Sequence, residues 1–164
     1  MLDQVHNFPP NPALFLEQSE YIYALALGTS LGDLHENIKI SKIYLKNAGL
    51  HIFDESPIYG SAPAGGVAQN TFLNQVVAVK TSFNPEKTLE LVLGVELKMG
   101  RRRQEKWEDR LIDIDILVGR HQKKAINVDT ENLKIPHPYI KVRWFQYQLL
   151  NNLQKFQYNL MPKL

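Results

Sequence analysis

The sequence contains no cysteine, and this absence excludes disulfide bridges and metal sites built on thiolates. It also has no run of 18 apolar residues, so no segment has the composition of a membrane-spanning helix. The opening residues lack a basic stretch followed by an apolar one, which argues against a signal peptide. From these absences we expect a soluble, cytoplasmic protein.

A large excess of charge of one sign is missing as well. The formal net charge is +2 over 164 residues, of which 44% are hydrophobic, an ordinary composition for one globular domain. A dedicated nucleic-acid-binding protein usually carries a stronger basic character. We therefore expect small-molecule partners, with no nucleic acid and no membrane among them.

Apolar patterning separates an N-terminal arm, residues 1–19, from a single domain, residues 20–164. The arm has several prolines and little periodicity, which is typical of an extended segment. In the domain, periodicity predicts strands over about 21–27, 50–59, 72–81 and 111–118, and helices over about 33–49 and 84–100. This order indicates an α+β fold with a ferredoxin-like βαββαβ core, an antiparallel sheet covered by helices. A short hairpin over 124–135 and a closing helix over 142–153 are expected to follow.

The most informative segment, residues 100–117, ends in two alternating aspartates. Asp113 and Asp115 flank Ile114 in an apolar run, so their side chains share one face of the predicted strand, roughly 6.6 Å apart at the backbone. Residues 98–110 hold six basic and three acidic residues, an excess suited to a ligand with several phosphates. The pattern predicts a magnesium and polyphosphate site. The alternative is the solvent-facing side of an ordinary sheet.

Five short motifs follow one another along the domain, each occurring once. They are Gly28-Thr29-Ser30-Leu31-Gly32-Asp33, Phe72-Leu73-Asn74, Gly100-Arg101-Arg102-Arg103, Asp113-Ile114-Asp115-Ile116-Leu117, and Ile135-Pro136-His137-Pro138 followed by Arg143 and Phe145. In order and spacing they resemble the 6-hydroxymethyl-7,8-dihydropterin pyrophosphokinase family. The resemblance implies transfer of pyrophosphate from ATP, the co-substrate, to the hydroxymethyl group of the pterin, with release of AMP, in folate biosynthesis.

The resemblance also implies cofactors and a role for individual residues. Two Mg²⁺ ions would be held by Asp113 and Asp115, in a protein expected to be a monomer. The catalytic residues would be Arg101, Arg103, Arg110, Asp113 and Asp115. The nucleotide would contact Arg103, Trp107, Arg110, His137 and Arg143. The pterin would contact Ser61, Ala62, Pro63, Ala64, Phe72, Asn74, Trp107 and Phe145.

Several alternatives remain open at the level of sequence. Asn74 can instead bond a neighbouring turn, His137 can simply pack in a turn, and the aromatic residues can belong to the core. Glu96 is expected to be a solvated helix residue, the alternative being that it helps to orient a ligand. Glu108 and Asp109 stand where the family usually has Gly-Pro, and Ser30 where it usually has asparagine, so a second hypothesis is a degenerate relative that binds nucleotide or pterin without efficient transfer. An RNA-binding ferredoxin-like module would need aromatic signatures that the sequence lacks.

Overall fold

The computed structural model describes residues 20–62, 70–100 and 110–156, so the predicted arm, residues 1–19, lies outside it. The elements in chain order are β1 (Tyr21–Thr29), α1 (Leu34–Asn47), β2 (His51–Glu55), β3 (Tyr59–Ser61), β4 (Phe72–Thr81), α2 (Pro85–Lys98), β5 (Asp113–His121), β6 (Lys124–Ala125), β7 (Val128–Asp129), β8 (Lys134–Ile135) and α3 (Trp144–Asn151). The α+β class and the strand and helix order predicted for the core are confirmed.

The main sheet has the strand order β2-β4-β1-β5-β6, and β3 adds to the end of β4. All of its pairings are antiparallel, with β1 and β4 in register over their whole length from Tyr21↔Thr81 to Thr29↔Leu73. The first four strands of this order are arranged as in a ferredoxin-like fold. Strand β1 therefore lies at the centre, with β4 on one side and β5 on the other.

The two faces of the sheet carry separate apolar clusters. One cluster joins α1 and α2 to alternate residues of the central strands, including Leu25 and Val77. The other joins α3 and the residues after it to Ala24, Ala26 and Val76. Because side chains alternate along a strand, each central strand contributes to both clusters.

The predicted helix starts are confirmed by their caps. The Asp33 carboxylate accepts a hydrogen bond from the Glu36 N–H at 3.0 Å, and the Asn84 side chain accepts one from the Lys87 N–H at 2.9 Å. Each such cap satisfies a backbone donor that the first helical turn leaves unpaired. Gly49 and Gly100 follow the helices with φ angles of +86° and +87°, which glycine adopts without strain.

Three predicted boundaries differ in the structure. The strand expected over 50–59 is divided into β2 and β3 around Pro57, which has no N–H to donate to a strand ladder. The hairpin expected over 124–135 is shorter: only β7 and β8 pair with each other, while β6 pairs with β5. The closing helix spans Trp144–Asn151 rather than 142–153.

Strand β5 is irregular just beyond the two aspartates. Its register with β1 passes from Leu25↔Ile116 to Ala24↔Val118, so Leu117 is an extra, bulged residue. The Leu117 carbonyl accepts a hydrogen bond from the His137 N–H at 2.7 Å, which holds the segment after β8 against β5. Within the described ranges, the helices are too short or too polar to cross a bilayer.

Candidate active site

A trough lies on the α3 side of the sheet, at one end of the three central strands. Its floor is the end of β1, where Gly28 pairs with Asn74 of β4 and with Asp113 of β5, and Ala26 pairs with Val76 and Asp115. The floor residues are small, whereas their neighbours on both sides carry longer side chains. The alternation of Ala24, Ala26 and Gly28 in β1 is a sequence signal for this trough that the motif analysis did not use.

The trough opens into a cleft of about 720 Å³. The cleft is lined by ten of the residues that the sequence singled out: Ser61, Ala62, Phe72, Asn74, Arg110, Asp113, Asp115, His137, Arg143 and Phe145. The remaining five, Pro63, Ala64, Arg101, Arg103 and Trp107, lie outside the described residues. Residues from both ends of the domain therefore meet at one place.

Each aspartate of β5 is paired with an arginine. Arg110 Nη1 donates to Asp113 Oδ2 at 2.7 Å, and Arg143 Nη1 lies 3.4 Å from Asp115 Oδ2. All four side chains are partly buried, with exposed fractions between 17% and 25%, so these contacts are weakly screened by solvent. The pairs line the cleft and keep the carboxylates and guanidinium groups together on its wall.

The electrostatics of the aspartate pair fit a divalent cation. Burial, reinforced by the charge of Asp113, raises the pKa of Asp115 to about 7, although Arg143 acts in the opposite direction. A cation between the two carboxylates would offset their repulsion and favour the ionised form. Among the described residues no group of three acidic or histidine side chains is placed to hold a metal. Mg²⁺, however, commonly uses one or two carboxylates together with water and substrate phosphates, so the pair meets its requirements.

His137 contacts the same wall as a neutral side chain. Burial, and the positive charge of Arg143, lower its pKa. Its Nε2 lies 3.8 Å from Asp115 Oδ1, too far for a hydrogen bond and, for a neutral ring, not an ion pair. Its Nδ1 accepts from the Tyr139 N–H at 3.3 Å, which places the ring proton on Nε2. Nε2 is therefore a neutral donor beside the carboxylates.

Asn74 forms the opposite wall and is only 8% exposed. Its Nδ2 donates to the Ser61 hydroxyl at 2.8 Å and to the Tyr59 carbonyl at 3.2 Å, so the amide nitrogen fastens β3 to the end of β4. Its Oδ1 lies 3.6 Å from the position of a Cβ built on Gly28, above the trough. The amide nitrogen thus bonds strand β3 while the oxygen faces the trough, and a role of Asn74 in ligand binding stays a prediction.

Aromatic side chains flank this wall. Tyr59 stacks on Phe145 with ring centres 6.0 Å apart and an interplanar angle of 19°, and Trp144 meets the Tyr59 ring edge-on at 5.7 Å. Phe72 borders the cleft next to Asn74. Phe72 and Phe145 were singled out from the sequence, whereas Tyr59, in the three-residue strand β3, was not, because so short a strand gives no periodic signal.

Ser30 fastens the turn after β1 to the start of β5. The Ser30 N–H donates to the Arg110 carbonyl at 2.9 Å, and the Ser30 hydroxyl accepts from the Arg110 N–H at 2.9 Å. The two residues are 80 positions apart in sequence. This reciprocal pair fixes the backbone from which the Arg110 side chain reaches Asp113.

Glu96 differs most from its sequence-based interpretation. It was expected in solvent, but it is 2% exposed and its Oε1 accepts from the Ile114 N–H at 2.7 Å. Strand β6 pairs with the far end of β5, so no strand of the described ranges covers this edge at Ile114 and a side chain supplies the acceptor. The bond restrains the residue between the two aspartates. Its spacing from the buried residues Val92 and Val95 of α2 was the available signal.

Comparison with known proteins agrees with this arrangement. A family described as 7,8-dihydro-6-hydroxymethylpterin-pyrophosphokinase matches residues 24–155 of the chain. The 2-amino-4-hydroxy-6-hydroxymethyldihydropteridine pyrophosphokinase of Bacillus subtilis (strain 168) is 36% identical over 122 residues, 74% of this chain and 71% of that protein. The protein of the same name from Aquifex aeolicus is 37% identical over 127 residues, 77% of this chain and 76% of that protein.

A solved structure shares the fold. The HPPK-DHPS of Plasmodium falciparum, in its A437G form with SDX-DHP, superposes with a TM-score of 0.62 at 18% identity. The match covers 87% of this chain and 43% of that one, so the chain spans less than half of that larger protein. At this level of identity the similarity concerns the fold.

Proposed function

Because the chain belongs to the 7,8-dihydro-6-hydroxymethylpterin-pyrophosphokinase family, we propose that it transfers a pyrophosphoryl group from ATP to the hydroxymethyl oxygen of 6-hydroxymethyl-7,8-dihydropterin and releases AMP. The observation that carries the proposal is the meeting of the Asp113–Asp115 pair, its two arginines and Asn74 in one cleft. The bond that forms joins the substrate oxygen to the β-phosphorus of ATP, and the bond that breaks joins that phosphorus to the oxygen of the departing AMP.

The pterin ring would stand in the trough between Phe72 and Phe145, with one edge toward the small floor of β1. Asn74 Oδ1 would accept a hydrogen bond from the ring, whose amino-pyrimidinone edge has donors and acceptors. Phe72 and Phe145 would contact its faces, and Ser61 and Ala62 its edge. This position directs the hydroxymethyl group along the floor toward β5 and the aspartates.

The nucleotide would occupy the part of the cleft that passes around the outer edge of β5. Leu89, Leu93 and Leu133 line it there and offer an apolar surface to a purine ring. The phosphates would then lie between this region and the trough, where Arg110 and Arg143 can bind their oxygens bidentately and His137 Nε2 can donate a further hydrogen bond. These groups would stabilise the charge that shifts onto the phosphate oxygens in the transition state.

Asp113 and Asp115 are the residues that would hold magnesium. The family resemblance implies two Mg²⁺ ions there. Bound there, the metal would supply positive charge to the phosphate chain. The protein's own part is to keep both carboxylates on one strand face, by the Glu96 bond to Ile114 and by the two arginine pairs. Arg101, Arg103 and Trp107 would complete the binding of the phosphates and cover the substrates.

The test is AMP formation from ATP and Mg²⁺ with and without the pterin, comparing the wild-type protein with Asp115→Ala. Asp129→Ala is the matched control, because Asp129 is an exposed aspartate on β7 whose partner is Lys134. We expect pterin-dependent AMP from the wild type and from Asp129→Ala and none from Asp115→Ala. Binding of the pterin without AMP formation by the wild type would instead support the degenerate relative.

A further inference from the structure

Gln146 is a polar residue in the apolar stripe of α3. It shares the buried face of that helix with Leu149 and Leu150, which pack on Ala26 and Val76 in the cluster on this side of the sheet. Positions spaced by three and four lie on one side of a helix, so packing would favour a further apolar residue here. The side chain is nevertheless an amide, and it is only 5% exposed.

The Gln146 amide oxygen finds no partner among the described residues. This Oε1 is fully enclosed, and within the described ranges no donor lies within hydrogen-bonding distance of it. Nearly all buried polar groups in folded proteins are hydrogen-bonded, because an unpaired one carries the full penalty of its desolvation. Rotation about the terminal bond of the side chain exchanges this oxygen with Nε2, so the unpaired amide, rather than the oxygen as placed, is what a partner from outside the described residues would satisfy.

The position of Gln146 directs the search for that partner to the cleft. The residue lines the substrate cleft, directly after Phe145 and one helical turn beyond Arg143, which contacts Asp115. It thus belongs to the part of the cleft wall that α3 contributes, here called the roof of the trough. An amide has both a donor and an acceptor, and rotation about its terminal bond exchanges them, so it can match either kind of group on a heterocycle.

We propose that Gln146 is a substrate-binding residue whose side-chain amide hydrogen-bonds the pterin ring from the roof of the trough. Asn74 would hold the ring from the wall, and Gln146 would fix its rotation within the plane between Phe72 and Phe145. The inference rests on the proposed function, because the pterin is the ligand that satisfies the amide.

The proposal predicts opposite effects of one substitution on binding and on stability. Gln146→Met keeps the length and volume of the side chain but removes the amide. It should weaken pterin binding about tenfold, the equivalent of about 1.4 kcal/mol. It should also raise the melting temperature of the ligand-free protein by about 2–4 °C, because a buried unpaired polar group is replaced by an apolar one.

The experiment is calorimetric titration of 6-hydroxymethyl-7,8-dihydropterin into protein saturated with Mg²⁺ and α,β-methylene-ATP, together with thermal unfolding of the free protein. Gln148→Met is the matched control, since it makes the same change on the exposed side of the same helix. We expect the control to match the wild type in both measurements. The nucleotide analogue should bind Gln146→Met as it binds the wild type.

The outcomes separate this inference from the proposed function. If the pterin binds Gln146→Met within about twofold of the wild type, Gln146 does not contact the ring and the inference is wrong. If pterin and nucleotide binding both weaken while the melting temperature falls, the residue serves packing alone and the inference is also overturned. If the wild type forms no pterin-dependent AMP and does not bind the pterin, the proposed function itself fails.

Discussion

The two faces of strand β5 make opposite contributions to the molecule. Ile114 and Ile116 point into the cluster beneath α1 and α2, whereas Asp113 and Asp115 point into the cleft. The apolar face gains free energy from burial, at about 25 cal/mol for each Å² of apolar surface removed from water. The carboxylate face costs folding free energy, because burial and mutual repulsion oppose ionisation, as the raised pKa of Asp115 indicates. One face of the strand thus stabilises the fold, and the other face lowers its stability.

The largest expected effect tests the carboxylate face. If Asp115 holds the metal as proposed, Asp115→Asn should lower the rate of AMP formation by about a thousandfold or more, because a carboxylate that binds the metal contributes several kcal/mol to transition-state stabilisation. The same variant should unfold at a higher temperature than the wild type at pH 8 without Mg²⁺. A loss of activity accompanied by a loss of stability would contradict the idea that this face is held at an energetic cost.

The pH dependence of the stability gained by Asp115→Asn follows from the sign of the shift in the pKa of Asp115. The pKa of Asp115 is about 7 in the folded protein, against 3.8 for an unperturbed aspartate, so the folded state binds more protons between these values. Wild-type stability should therefore fall as pH rises through this window, relative to Asp115→Asn. Denaturant unfolding between about pH 3.5 and pH 8 measures this difference in unfolding free energy. The wild type and Asp115→Asn should have similar unfolding free energies at the acidic end, and the difference should reach its full size above about pH 7. A constant difference across the window would refute the assignment.

The apolar face should respond in the opposite way. Leu25→Ala removes a fully buried side chain from the cluster under α1 and α2, and should cost about 2–5 kcal/mol of unfolding free energy. The activity per folded molecule should remain near that of the wild type, because Leu25 lies away from the cleft face. Urea unfolding measures the loss of unfolding free energy, and kcat/KM at low temperature, where the variant stays folded, measures the activity per folded molecule. A large fall in kcat/KM without unfolding would show that the two faces are coupled.

Glu96 connects the two faces, so its substitutions should affect both. Glu96→Ala leaves the Ile114 N–H without its acceptor and should cost about 1.5–3 kcal/mol of stability, the usual range for a hydrogen bond to a charged group. It should also weaken Mn²⁺ binding, used as a spectroscopic substitute for Mg²⁺. Glu96→Gln retains an acceptor oxygen and is the control. We expect it to keep most of the Mn²⁺ affinity, and equal losses in both variants would mean that the charge, rather than the bond to Ile114, matters.

The smallest expected effect concerns the attachment of Arg110. Ser30→Ala removes the hydroxyl that accepts from the Arg110 N–H and should cost about 1 kcal/mol. The KM for ATP should rise more than kcat falls, because the change loosens the position of an arginine rather than removing it. Steady-state kinetics with varied ATP would reveal this. Thr81→Ala, which removes a hydroxyl that accepts from the Phe83 N–H at the opposite end of β4 from Asn74, should lower stability alone.

Much of this arrangement could be predicted from the sequence because it depends on local rules. The caps at Asp33 and Asn84 and the shared face of Asp113 and Asp115 follow from hydrogen-bonding chemistry and from the period of two residues in a strand. The βαββαβ order follows from the apolar periodicity of its segments. These features need no knowledge of which strands become neighbours.

The remaining features depend on contacts between distant parts of the chain. The spacing from Val92 indicates that Glu96 lies on the buried face of α2, but no pattern within α2 reveals the β5 edge whose Ile114 N–H needs its carboxylate as acceptor. Tyr59 reaches Phe145 from a three-residue strand, and Gln146 enters the cleft from a helix whose buried stripe is apolar except at that position. The bulge at Leu117 arises from pairing with β1. Periodicity within a segment cannot encode such relations.

The small floor at Gly28 has a consequence for mutational tolerance. A Cβ placed there meets its nearest neighbours at 3.6 and 4.0 Å, which is ordinary contact, so the backbone accepts a side chain at this position. A larger residue would project into space that the folded chain does not need but that a ligand does. A single substitution at position 28 can therefore leave the protein well folded but inactive. The fold and the activity place different demands on this residue.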